Sequence, residues 1–142
     1  MNDLHRIAQL IACCWRIADN SNSRIPTSHS ILDRALRKVI SDVDSPEWLN
    51  KGLTFVDSRI GLQCVELPAI LEWAQRAQLT SAPNPSYETT EVQISPRVAS
   101  RFLASLGISE DVGRSLGNKL KEYAAEVQQE LVLADHASIE DY

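Results

Sequence analysis

Three cysteines, three histidines and one run of acids are the side chains whose types could do chemistry in this 142-residue chain. Cys13 and Cys14 are adjacent and Cys64 stands alone, so they form no disulfide framework and no Cys-x-x-Cys pair. His5, His29 and His136 do not cluster with a cysteine, and zinc needs more ligands than any one stretch supplies. His29 and Asp33, four apart, offer two ligands where a metal needs more. Asp42, Asp44 and Glu47 could bind Mg²⁺ or act as a carboxylate pair, but their setting reads as a turn and a helix start, where acids favour the positive end of the dipole. Phosphate-cradling glycine loops, His-Glu-x-x-His and Gly-x-Ser-x-Gly do not occur. The expectation is a protein that is not an enzyme and has neither metal nor cofactor.

Binding patterns are more visible. Arg34, Arg37 and Lys38 place three positive charges within little more than a helical turn, a solvated face or a contact for phosphate or an acidic partner. Arg24, Thr27, Ser28, His29 and Ser30 gather just before that helix, where free N–H groups can hold an anion or simply be capped, with Ser30 and Asp33 spaced as a capping box. Trp15 and Trp48 are apolar anchors for a core or an interface. Gly113 and Gly117 lie one turn apart inside a helix, where each costs about 1 kcal/mol relative to alanine. Such a pair implies a second backbone close by, from this chain (residues 96–106 being the nearest choice) or from a partner.

The stretch from Phe102 to Leu116 resembles a helix-turn-helix, with Leu-Gly-Ile-Ser at the turn. The resemblance implies a second helix in the major groove, with Ser109, Arg114, Ser115, Asn118 and Lys119 near the DNA. Glu110 and Asp111 would then face phosphates, and Val112 comes one residue early for the usual apolar position. DNA binding through residues 97–121 is therefore the second reading.

The elements that must position these residues follow from periodicity. A first helix is expected over 3–18, with Leu4, Ile7, Ala8, Ile11, Trp15 and Ala18 on one stripe and Leu10, Cys14 and Ile17 widening it. Residues 19–30 read as a loop and 31–41 as a second helix. A short helix starts at Ser45-Pro46-Glu47 and ends at Gly52; a hairpin is expected within 53–67, and a helix from Pro68 to Leu79. Thr80 to Tyr87, with two prolines, reads as a linker between a helical core, 1–79, and a helix-turn-long helix, 88–133 that packs on it. Val92 and Ile94 suggest a short strand beside the hairpin. Ser95-Pro96 caps one helix, Gly107 ends it, Ser109 caps the next, and Val112, Leu116, Leu120, Tyr123, Val127 and Leu131 form its stripe. Residues 134–142 read as a frayed acidic tail.

The fold class is thus mainly α: a single helical domain with a small β-hairpin and a long C-terminal helix. The apolar fraction of 44% and charged fraction of 23% are those of an ordinary globular chain. Net charge is −5, yet residues 1–41 hold six basic and three acidic groups. An acidic balance argues against indiscriminate nucleic-acid or membrane binding while leaving room for a local basic patch. With no secretory order at the N-terminus and no run of bilayer length, the chain reads as cytoplasmic. The expected function is an adaptor or subunit of a cytosolic assembly, with a protein partner or self-association and no membrane.

Overall fold

The computed structural model describes residues 3–19, 23–42, 45–59, 61–85 and 88–140, the side chains of 42 and 135–140 excepted. The elements run α1 (Asp3–Ile17), β1 (Arg24–Pro26), α2 (Ile31–Asp42), α3 (Glu47–Gly52), β2 (Phe55–Ser58), β3 (Gly61–Cys64), α4 (Leu67–Arg76), β4 (Thr89–Glu91), α5 (Pro96–Ser105) and α6 (Glu110–Glu140). The molecule is mainly α, with two small antiparallel strand pairs and the expected long final helix.

α1 is the axis. Nine of its side chains are buried, from Ile7 to Ile17, and they point all round the helix rather than along one stripe. A helix that is apolar on every side must be enclosed. α6, α5, α4 and α3 enclose it, and one core cluster runs from Ile7 to Val127.

The cap signals act as expected. Ser95 Oγ accepts from the Val98 N–H with Pro96 at the first helical position, and Ser109 Oγ accepts from the Val112 N–H. Gly107 takes φ +76 between those helices, a conformation that favours a residue without Cβ. The capping box before α2 is not used that way. Asp33 Oδ2 instead accepts from the Cys64 N–H at 2.7 Å, tying α2 to β3.

Several boundaries differ from expectation. α4 stops at Arg76 because Gln78 adopts φ +63, and the Leu79 N–H returns to the Ala74 carbonyl. The loop 19–30 contains β1, which pairs with β4 in the register Arg24↔Glu91, Ile25↔Thr90 and Pro26↔Thr89. β4 therefore lies beside β1 and not beside the hairpin. The stretch expected as a linker folds back along β4: Thr80 bridges Val92, Ser81 N–H bonds Glu91 O, and Thr90 Oγ1 donates to Ser81 O. Thr80 is buried there. The hairpin forms within its expected range, from Phe55↔Cys64 to Ser58↔Gly61. α6 continues as helix to Glu140, through the stretch expected to fray.

The stripe expected on α6 holds at Leu116, Leu120 and Val127, which are buried, and at Tyr123 and Leu131, which pack against the core; only its first member is misplaced. Val112 is exposed, and Gly113 is the first buried residue of the face that continues through Leu116, Gly117, Leu120, Ala124 and Val127. Reading from Val112 placed an apolar side chain where the packing needs none.

Candidate functional site

Gly113 and Gly117 face this chain's own α1 and α5. A Cβ on Gly117 would fall on the Cys14 carbonyl oxygen, well inside contact, and one on Gly113 would press on Leu103 and Ile17. The close approach anticipated from the glycines is thus made chiefly with α1, so this face is filled by the chain itself. Trp15 is also interior, at 2% exposure. Trp48 is half-buried on α3, with the Arg6 guanidinium 4.3 Å from its ring centroid.

The three cations of α2 separate. Lys38 and Arg34 reach across to α6, where Lys38 Nζ lies 3.5 Å from Glu126 and Arg34 Nη1 3.9 Å from Glu130. Arg37 is exposed and lies over the Phe55 ring. The acidic surface that would suit two of these charges is part of the same chain.

The helix-turn-helix residues are likewise engaged. Ser109 caps α6. Arg114 Nε donates to the Ile17 carbonyl and lies near Asp19 and Glu110. Asn118 accepts from the Asp19 N–H and donates to its carboxylate, at 2.8 and 2.9 Å. Arg114 thus satisfies a carbonyl that the end of α1 cannot satisfy itself, and Asn118 ties Asp19, just beyond that helix, to α6. Lys119 pairs with Glu122, whose hydrogen bond and charge hold the amine above its ordinary range. Ser115 is exposed.

Several cavities open among the described residues, two of them notable for the side chains that line them. The larger, about 490 Å³, is a groove between the hairpin and α4, lined by Val56, Gln63, Val65, Leu67, Pro68 and Leu71 with Asp33, Thr27 and Cys64. Val56 and Val65 are 44% and 56% exposed, among the most exposed large apolar side chains described. No sequence signal marked them, because a valine in a short strand predicts burial as readily as exposure. The smaller cavity, about 200 Å³, lies between β1, β4 and α6, with Trp15 and Lys121 among its lining residues.

Burial pushes the Cys13 thiol up to about 12 and Cys64 to about 11, and raises Cys14 as well, so all three are protonated. All three are free and buried. Among the described residues no three His, Cys, Asp or Glu side chains gather as metal ligands, and no helix is long and apolar enough to cross a membrane. The Asp42–Asp44 part of the acidic run lies outside the described residues and side chains.

No protein-family model matches the chain, and no match was found among curated proteins or among solved structures.

Proposed function

We propose that the chain is a non-catalytic protein-binding subunit of a cytoplasmic assembly, and that its partner docks on the groove between the β2–β3 hairpin and α4. The observation that carries this reading is the pair Val56 and Val65, exposed on the wall of a groove that also holds Leu67, Pro68 and Leu71. Exposed apolar surface rimmed by polar groups fits a protein contact. The free thiols of Cys13, Cys14 and Cys64 support a reducing compartment.

A photo-crosslinking residue at Val65, compared with one at exposed Ala104 on α5, tests the reading in cells. A discrete adduct at 65, absent at 104 and lost when Val56→Glu is added, is the expected result; an adduct of twice the chain's mass identifies the partner as a second copy. No adduct at 65, or the same adducts at both positions, removes the groove from consideration. DNA binding is the competing reading, and Arg114 and Asn118 give it less support because both hold the end of α1. A complex with mixed DNA fragments that forms at low salt and dissolves as salt rises would put it first.

A further inference from the structure

The groove between the hairpin and α4 has a neighbour along the same helix. A second cavity, about 240 Å³, shares Thr27, Pro68 and Leu71 with it and reaches Gln75, Pro83 and Thr90. Together they make a track past α4, from Val56 on the hairpin to Pro83 ahead of β4. Leu67 to Gln75 alone cover roughly 12 Å of helix axis, the length of about four extended residues or two helical turns of a bound peptide.

Charge along this track has one sign. Its described lining residues include two carboxylates, Asp33 and Glu72, and no lysine, arginine or histidine. Glu72 is already paired with Arg76, at 2.6 Å. Asp33, half-buried, accepts from the Cys64 N–H through one oxygen and forms no ion pair with a described residue. A helix commonly supplies such a partner four residues on. Here that residue is Arg37, which lies over the Phe55 ring, while Arg34 and Lys38 turn to Glu130 and Glu126. The stretch 55–91, which builds the hairpin, α4 and β4, is also acidic on balance, with five acids and two arginines.

We infer that the groove takes a short peptide segment of a protein partner, with apolar side chains on Val56, Val65 and Leu71 and one lysine or arginine on Asp33. The inference rests on the groove being the docking face. The cation forms a charge-assisted bond with the Asp33 oxygen that the Cys64 N–H leaves over. Acidic segments are rejected at the same point, because like charges meet there.

Random phage-displayed peptides are selected on the full chain, and the clones are counter-screened on Val56→Glu. Expected are clones that bind the wild type, fail on Val56→Glu and carry a lysine or arginine within an apolar run. Changing that residue to glutamine in the synthetic peptide should weaken binding to the wild type about tenfold, and binding to Asp33→Asn hardly at all. Carbodiimide coupling of a lysine peptide to the wild type, mapped by mass spectrometry, should join its amine to Asp33 and needs no protein variant. Val56-dependent clones without a basic residue, an equal loss on Asp33→Asn, or coupling only to another carboxylate overturn the inference and leave the groove standing. If no clone binds, or all of them still bind Val56→Glu, the groove falls and this inference with it.

Discussion

One helix meets two neighbours in opposite ways. Where α6 crosses α1, Gly117 leaves no side chain and the two backbones touch at Cys14. Where α6 runs beside α2, an apolar contact that includes Leu36, Val39, Leu116 and Leu120 is flanked by a seam of long, partly exposed side chains, Lys38, Arg34, Glu126 and Glu130. The first contact has no slack, because a backbone carbonyl cannot turn aside. The charged seam has a great deal, because side chains of this length can reach one another over a range of separations. The orientation of α6 is set at the glycine crossing, and the charged seam follows it.

Substitutions can break that comparison directly. Gly117→Ala, which drives a Cβ into the Cys14 carbonyl, should cost about 3 kcal/mol or more despite its better helix propensity. Gly113→Ala meets the flexible end of Leu103 and should cost no more than about 1 kcal/mol. Urea unfolding of both variants checks the difference; equal losses would mean the Cys14 contact does not set the packing.

The same region should respond to alkali. The Cys13 and Cys14 thiols ionise near 9 when unfolded, but burial raises both in the native state, Cys13 to about 12. Native protons are then retained while the unfolded chain loses them. Stability contributed by these groups is complete below pH 9 and falls above it, by roughly 2 kcal/mol for each of the two at pH 10.5. Lys121 acts in the other sense, since a lowered amine makes stability rise between about 8 and its ordinary value near 10.5. Unfolding midpoints across pH 8 to about 10.5 should therefore fall less steeply in Cys14→Ala and more steeply in Lys121→Met than in the wild type.

Asn118→Ala removes both bonds to Asp19 and should cost about 1 kcal/mol, the net worth of an ordinary hydrogen bond, with amide exchange rising first just beyond the end of α1. The seam should matter least: Lys38→Ala ought to change stability by no more than about 0.5 kcal/mol, and the change should shrink with added salt. A loss comparable to that of Gly117→Ala would reverse the ranking of the two contacts.

Much of the helical fold was legible in local pattern. The starts of α5 and α6 were marked by Ser95-Pro96 and Ser109, because a capping side chain bonds a backbone group only three residues away. The glycines signalled a close crossing but not its partner, which lies about a hundred residues earlier. β1 was not legible, and a strand near Val92 was expected without its bounds or its partner: each strand has three residues, and the pairing of Ile25 with Thr90 leaves no mark on either stretch. The α2 cations were visible as a cluster, while their acids sit far along the chain on α6. The burial of Lys121 was not legible, since it reads as an ordinary surface lysine until α1 and the β1–β4 pair close around it.

The enclosure of α1 also bears on how the chain is made. Its apolar surface emerges from the ribosome early, but the helix that covers Cys14 and bonds Ile17 and Asp19 is translated last among the elements described. At ordinary translation speeds the wait between them is about 5 to 20 s, far longer than helix formation or collapse takes. Throughout that interval the face of α1 that meets α6 lacks its cover, even as α3, α4 and α5 become available to the other faces.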